Sequence, residues 1–475
     1  MSTARTFKLL IDGASVDGES LFDVINPATE EVVGRAPDAT RQQLDQAVAS
    51  ARRAYPKWKE TPIAERQAMV AALGRVINEN IEELKRLLTA EQGKPLGDAE
   101  QDIGGGAYFC AQSAELTPPV EVHEDSDVRR SATYRVPLGV VCAIAPWNFP
   151  IAIAFWKVAP ALVAGNTVVL KPSPFTPLTT LRIAELARDI LPSGVFNVLS
   201  GSDRLGPWMT GHPGFDKISF TGSTATGRRV MESAAPTLKR LTLELGGNDA
   251  AIVLPGVDVQ SAASQLFQAA FANSGQVCFA PKRVYVHSAV YEDFAASLAE
   301  LAKQAKVGDG AEQGTSFGPI QNRPQYERVQ DLIADCRTNG YGFLAGQDNV
   351  PDKGYFVPLT IIDNPPADAR IVREEQFGPV LPLIRFDDIE AALEQANDCD
   401  YGLGGSVWGP PELAEEIALR MDTGMVWVNE FGSMAPSQPF GGRKQSGFGV
   451  ENGMAGLLEY TSIHTIVTAK QANVA

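Results

Sequence analysis

Residues 140–171 read VVCAIAPWNFPIAIAFWKVAPALVAGNTVVLK. The stretch divides into a strand from Val140 to Ala145, a proline-bounded turn, a helix from Ala154 to Leu162 and a second strand from Thr167 to Lys171. The alternation continues with a helix from Leu178 to Leu191, a strand from Val195 to Leu199 and a helix around Arg204–Thr210. A strand from Lys217 to Thr221 and a helix starting near Thr224 complete it. Such a series implies a largely parallel sheet covered by helices on both faces, for which a nucleotide fold is the default. The 20 residues from Pro137 to Trp156 carry no charge, enough to span a bilayer. Pro146, Asn148 and Pro150 break any helix there, so a buried strand and loop is expected instead.

Working outward, a second α/β block follows Leu241. Ala250–Leu254, Arg283–Val286, Val380–Phe386 and Met425–Asn429 read as strands, and Val290–Lys306 and Gln325–Thr338 as helices. Upstream, Leu9–Ile25 holds short extended runs broken by Gly13 and Gly18, and Pro27 precedes a charged helical stretch from about Thr40 to Leu96. Its amphipathic pattern begins at Leu44, Ala47, Val48, Ala51 and Tyr55. Two segments fit neither block: Thr117–Arg135 and the alternating tail Glu459–Thr468. They could pair as an outlying sheet whose free edge invites a neighbouring subunit.

The length of 475 residues suggests three units, or two large ones sharing a cleft. Apolar residues at 44% and charged residues at 21% are those of an ordinary soluble chain, not of a disordered or fibrous one. Lys and Arg number 41 against 57 Asp and Glu, a net charge of −16 that repels nucleic acid and anionic membrane surfaces. Five widely spaced cysteines without a CxxC pair, and only four histidines, suggest neither a disulfide framework nor a metal site. A reducing cytoplasm fits, and the N-terminus does not read as a secretory signal.

Three residues stand out chemically. Cys278 closes Phe271-Ala-Asn-Ser-Gly-Gln-Val-Cys278, where small residues permit close backbone approach; the alternative is a buried core cysteine. Glu244 ends an apolar strand before Gly246-Gly247, where partial desolvation would push its pKa towards neutrality, as a general base needs; the alternative is a strand-end salt bridge. Asn148 is held between Pro146 and Pro150, a rigid placement for a donor to an oxyanion, or simply a turn-forming Asn. No GxGxxG occurs; in its place Phe220-Thr-Gly-Ser-Thr-Ala-Thr-Gly227 opens a helix with backbone N–H groups and hydroxyls suited to one phosphate. Lys171 ends a strand where open α/β sheets bind ligands.

Taken in order, Pro146-Trp-Asn-Phe-Pro150, Leu170-Lys-Pro-Ser173, Phe220-Thr-Gly-Ser-Thr224, Glu244-Leu-Gly-Gly247, Gly275-Gln-Val-Cys278, Glu374-Glu-Gln-Phe-Gly-Pro379 and Pro439-Phe-Gly-Gly-Arg-Lys444 resemble the aldehyde dehydrogenase superfamily. The resemblance runs from Ile25-Asn-Pro-Ala-Thr29 to Tyr460-Thr461, and its nearest flavour is the bacterial, broad-specificity, non-acylating group. It implies a Rossmann-type cofactor domain at 1–116 and 136–243, an α/β catalytic domain at 244–440, and a small oligomerisation sheet from 117–135 and 455–475. It further implies a Cys278 nucleophile, an oxyanion site at Asn148, a Glu244 base, and Lys157 and Glu451 in a proton relay. Cofactor contacts carried over are Trp147, Lys171, Ser173, Pro174, Gly201, Gly222, Ser223, Leu245, Glu375 and Phe377. The implied partners are NAD, or NADP, a small aldehyde and a second or further copies of the chain as a homodimer or homotetramer; no metal is implied.

One departure concerns Lys171-Pro-Ser-Pro174, where many NAD-preferring members carry an acidic residue in place of Pro174. With neither a carboxylate nor an arginine there, NAD is favoured and NADP use allowed. Phe149, Trp156 and Phe440 match the wall near the thiol and favour medium-chain aliphatic or aromatic aldehydes over succinic semialdehyde. Arg283 and Arg443, the nearest candidates to bind a substrate carboxylate, are read as solvated and structural. A cysteine hydrolase would need a histidine beside Cys278, and His123, His212, His287 and His464 stand in no such context. A CoA-acylating enzyme has no need of Glu244, and a binding protein that had lost the chemistry would be expected to lack Cys278, Asn148 or Glu244.

Overall fold

Residues 140–171 fold as the strand Val140–Ile144, the helix Ala152–Val163 and the strand Thr167–Lys171. This computed structural model describes residues 5–346 and 350–470, so residues 1–4 and 471–475 of the outermost assigned segments lie outside the described residues. Both strands are buried throughout, which is why they read as continuous Val-rich runs rather than as alternating ones. Alternate residues still serve two faces. Val141, Ala143, Val168 and Leu170 join one apolar cluster, and Val140, Cys142, Ile144 and Val169 another.

The two strands belong to an eight-stranded sheet in the order Gly447–Phe448, Arg240–Glu244, Lys217–Thr221, Val140–Ile144, Thr167–Lys171, Phe196–Val198, Leu9–Ile11, Ala14–Val16. Its five central strands are parallel. From Val140–Ile144 the chain moves outward one way through Thr167 and Phe196, then returns to lay Lys217 and Arg240 on the other side. The reversal between Val140–Ile144 and Lys217–Thr221 is a topological switch point, and the crevice beyond the carboxyl ends of those strands is where such sheets bind ligands.

A second, seven-stranded sheet runs Gly342–Ala345, Thr360–Asp363, Val380–Phe386, Pro281–His287, Asp249–Val253, Gly404–Trp408, Met425–Val428, and is parallel except for its first pair. The strand Arg240–Glu244 leads through Leu245–Asn248 straight into Asp249–Val253, so a carboxyl end of the first sheet is joined to an amino end of the second. A three-stranded sheet stands apart. Thr461–Ala469 pairs antiparallel along its length with Arg129–Pro137, and Glu121–Asp125 takes the other side.

Several elements differ from their sequence readings. The stretch Thr40–Leu96 is three helices, Arg41–Glu60, Ile63–Glu79 and Ile81–Gln92, broken where Pro62 and Asn80 cap the second and third. A fourth, Leu96–Ser113, had gone unread because Gly104-Gly105-Gly106 lowers its helix propensity. Gly105 and Gly106 let it lie close to the helix Ala152–Val163: a Cβ on Gly105 would meet Ala152 at 3.1 Å, and one on Gly106 would meet Ile151 at 2.8 Å. The helix read as Leu178–Leu191 ends at Leu186, unwinding ahead of Pro192.

Candidate active site

A cavity of about 390 Å³ opens at the switch point. The first sheet contributes Pro146, Trp147 and Asn148 from beyond Ile144, Thr221, Gly222 and Ser223 from the end of Lys217–Thr221, and Leu245 and Gly246 from beyond Glu244. The second sheet contributes Cys278, Glu375 and Phe377, from loops that lead into the amino ends of its parallel strands. Ser223 caps the helix Thr224–Ala234, its hydroxyl accepting from Thr226 N–H at 3.3 Å, and Thr224 and Ala225 line the cavity beside it. The positive end of that helix therefore faces the cavity, a disposition suited to phosphate. Trp147 and Phe377 meet edge to face at 5.3 Å. Glu375 accepts from Gly247 N–H at 3.0 Å; a Cβ on Gly246 would meet its carboxylate, and one on Gly247 would collide with the Cys278 carbonyl oxygen.

The thiol loop is held in an uncommon conformation. Asn273 and Ser274 both have positive φ, at 48° and 57°, and surrounding bonds fix them there. Ser274 donates to Gly318 O at 2.7 Å, Gln92 donates to Asn273 at 3.1 Å, and Lys282 Nζ donates to the carbonyls of Gly275 and Val277. Asn148 is buried, and its Nδ2 donates to Gln276 O at 3.0 Å, so its amide is tied to the thiol loop. Its own carbonyl accepts from Lys94 Nζ at 2.8 Å and from Asn273 Nδ2 at 3.1 Å. Lys94 is paired with Asp102 at 3.0 Å, both side chains fully buried, and Asp102 also accepts from Ala152 N–H at 2.8 Å. This pair braces the turn that carries Asn148. No feature of the sequence reading had marked it.

Glu244 is buried, and its Oε1 has no hydrogen-bond partner among the described residues. Burial raises its carboxyl to about 8 against the pull of Lys157, and the carboxylates of Glu451, Glu375 and Asp249 add to the rise. Burial likewise pushes the half-buried Cys278 thiol well above its ordinary value, and the neighbouring Glu244 pushes it further. The resting pair therefore holds its protons near neutral pH, and deprotonating one favours keeping the proton on the other. Lys157 Nζ binds Glu451 at 2.7 Å and Ser219 Oγ at 3.2 Å, with both ionic side chains almost wholly buried.

Of the residues named from the sequence, the structure gathers Trp147, Asn148, Gly222, Ser223, Leu245, Cys278, Glu375 and Phe377 around one cavity. Phe149, Trp156 and Phe440 pack in an apolar cluster with Cys278, alongside Phe109, Phe279 and Leu403. Lys171 and Ser173 are buried outside the residues lining that cavity; Lys171 donates to Pro172 O at 3.3 Å, and burial lowers it to about 8. Gly201 packs against Leu205. Pro174 lines a separate cavity of about 360 Å³ with Ser202, Asp203 and Arg323. Arg283 is structural but not solvated: it is buried, and its guanidinium donates to the carbonyls of Asn248, Gln395 and Ala396 and to Tyr285. Arg443 is exposed and paired with Asp422 at 3.1 Å. Gln325 and Arg328, on the helix Arg323–Thr338, and Tyr401, in the short strand Tyr401–Gly402, also line the main cavity and were missed, since nothing in their local sequence marks them.

The sequence profile of the aldehyde dehydrogenase family matches residues 14–466. The chain belongs to the aldehyde dehydrogenase family. A probable aldehyde dehydrogenase from a Pseudomonas species is 41% identical over 475 residues, covering 99% of this chain and 96% of the relative. Among solved aldehyde dehydrogenases, the NAD+ complex of the Bacillus cereus enzyme superimposes with a TM-score of 0.94 at 35% identity, covering 98% of this chain and 97% of that one. An NADP-dependent enzyme from E. coli gives a TM-score of 0.94 at 34% identity, covering 98% of each chain. The mixed α/β architecture is thus that of aldehyde dehydrogenases. Oxidation of aldehydes to acids is the general activity of the family.

Proposed function

We propose that this chain oxidises apolar aldehydes to carboxylic acids with NAD, accepting NADP less well, by covalent catalysis at Cys278. The observation that supports it most is the convergence at one switch-point cavity of a thiol, an amide tied to its loop and a helix N-terminus, with the buried Glu244 carboxyl outside the cavity lining yet near enough to act on the thiol electrostatically. The donor set fits a dinucleotide: Gly222, Ser223 and the helix start suit a phosphate, Glu375 a ribose, and Trp147 and Phe377 flank the reacting end. When bound, that cofactor supplies a hydride acceptor.

In the fraction of enzyme in which Glu244 is ionised, the Cys278 thiol passes its proton to that carboxylate as the sulfur adds to the carbonyl carbon, and the π pair moves onto oxygen, where the Asn148 amide and the Cys278 N–H hold it. As the carbonyl re-forms, the carbon loses hydride and a thioester remains on Cys278. Glu244, once deprotonated, takes a proton from water as the water oxygen attacks the thioester. Collapse expels the thiolate and frees the acid. Residues 1–116 and 136–243 are assigned to cofactor binding and 244–440 to catalysis, while 117–135 and 455–475 serve assembly. The Pro174 cavity supports the preference for NAD, because Asp203 lines it and its Arg323 is engaged by Glu30 at 2.6 Å.

The apolar substrate class rests on the rings behind Cys278. Phe109 stacks on Trp156 at 5.2 Å, Trp156 meets Phe440 at 5.4 Å, and Phe279 meets Phe440 at 5.7 Å. Neither Arg283 nor Arg443 is free to receive a substrate carboxylate. Two measurements test the assignment. Cys278→Ala should abolish turnover and leave NAD binding intact. Octanal and benzaldehyde should each exceed succinic semialdehyde in kcat/KM; a semialdehyde preference of about tenfold, equivalent to ~1.4 kcal/mol, would overturn the apolar pocket.

A further inference from the structure

The strand Pro281–His287 pairs with Asp249–Val253 out of step at its start: Asp249 stands opposite Pro281 and Ala250 opposite Arg283, so Lys282 is an extra residue. Such a bulge is rare between parallel strands, and bulges beside active sites re-aim a side chain. Lys282 follows Cys278 by four residues, and its side chain is drawn back onto the thiol loop. The ammonium is buried, with Nζ donating to Gly275 O at 3.2 Å and to Val277 O at 2.5 Å, and it stands 5.3 Å from the centre of the Phe377 ring. The carboxylates of Glu375 and Asp249 supply negative charge around it. Burying a lysine has a cost that a well-packed apolar residue would avoid, so its placement points to a task beyond packing.

The two carbonyls differ in what they carry. Gly275 follows Asn273 and Ser274 as a third residue in a row with positive φ, at 74°, and a Cβ on it would strike Gly378 O. A run of that kind persists only where its surroundings fix it, and the ammonium is one of the fixings. Val277 O belongs to the peptide unit whose other end is the Cys278 N–H. Because a trans peptide is planar, its C=O and N–H point in opposite directions, so holding the oxygen sets the line along which the N–H points. Ala280 N–H also reaches Val277 O, at 3.3 Å, but without a charge. A charged donor makes the stronger bond, and it polarises the peptide so that the N–H becomes a better donor in turn. Gln276 O, between the two, is held by Asn148 Nδ2 at 3.0 Å. Lys282 and Asn148 therefore fix three successive carbonyls ahead of the thiol.

We propose that Lys282 is a positioning residue of the oxyanion site: by holding Val277 O it aims and polarises the Cys278 N–H that receives the developing charge. The inference rests on the reading of Cys278 as nucleophile and of its N–H as an oxyanion donor. Lys282 also favours the thiolate of Cys278, against Glu244, Asp249 and Glu375. An effect on the N–H is therefore to be separated from one on the sulfur.

Two reactions of Cys278 in the full-length enzyme separate them. Acetylation by p-nitrophenyl acetate moves a carbonyl π pair onto oxygen and draws on the oxyanion site, whereas alkylation by iodoacetamide displaces iodide from a saturated carbon and draws only on the thiolate. In Lys282→Met, an unbranched side chain without the charge, the ratio of acetylation to alkylation rates should fall about tenfold, less than the ~10²-fold of losing an oxyanion donor outright, with NAD binding kept. Asn148→Ala should lower the same ratio. A wild-type ratio in Lys282→Met beside a lowered one in Asn148→Ala would overturn the proposal, whether the two rates fall together or neither falls. A wild-type ratio in both variants would remove the oxyanion assignment itself, and the proposal with it. If Lys282→Met does not fold, Lys282→Gln, a neutral donor on a shorter stem, carries the test with the same outcomes.

Discussion

At Glu244 and Cys278, burial destabilises each group as an anion; Glu244 adds to the effect at the thiol, and Glu451, Glu375 and Asp249 add to it at Glu244. A carboxylate in water would be ready as a base throughout the neutral range, whereas one held at about 8 is available in full only at alkaline pH. Because the base must be deprotonated to take the proton of water, thioester hydrolysis should rise with pH through about 8 and then level. This can be read in cofactor-free enzyme acetylated on Cys278 by p-nitrophenyl acetate, with the loss of acetyl followed by intact mass. A rise already complete by about pH 5.5, as for a solvated carboxyl, would show that burial does not govern this base. Glu244→Gln should remove the pH dependence and leave an acyl-enzyme that persists, with one burst of reduced cofactor in place of steady turnover.

At the scale of elements, the sequence made the strand–helix series from Val140 to Thr224 legible because buried parallel strands leave unbroken Val and Ile runs and the helices between them are amphipathic. The residues proposed for the chemistry, Cys278, Glu244 and Asn148, could be picked out because each stands within three residues of Gly or Pro. What stayed hidden depends on distant partners. The helix Leu96–Ser113 is specified by its close fit to Ala152–Val163, and the Lys94–Asp102 pair by a 54-residue reach from Lys94 to the Asn148 turn, neither of which local propensity encodes. The brace yields a prediction. Asp102→Asn leaves the buried Lys94 ammonium without its counter-charge, which should cost about 3–5 kcal/mol of stability. It should also loosen the Asn148 amide, lowering kcat by ~10²-fold with little change in KM. Denaturant unfolding and steady-state kinetics measure the two effects; a variant destabilised as expected but retaining wild-type kcat would show that the brace supports the fold and not the oxyanion site.

For the whole molecule, the three-stranded sheet is the feature that a single chain leaves unfinished. Thr461–Ala469 is paired on one side with Arg129–Pro137 and lies at the edge of its sheet, and from Ile463 onward it is exposed, including Ile463, Ile466 and Val467. A nine-residue strand with an open edge and bare aliphatic side chains is a template for pairing, and soluble proteins seldom leave one uncovered. Val122, on the strand at the opposite edge of the sheet, and Val120 and Val128 on adjoining segments are exposed as well. A second copy of the chain is the occupant proposed for this surface, giving a dimer or a dimer of dimers. Light scattering should then return two or four times the 50.9 kDa of one chain. Placing Asp at Ile463 and Val467 puts charge on the open strand without touching Tyr460, which is buried in the core. The doubly substituted chain should dissociate while keeping its helical content and the fold of its catalytic cavity. A wild-type chain that stays at one chain mass across the micromolar range, or a variant that remains fully assembled, would assign this edge a different role.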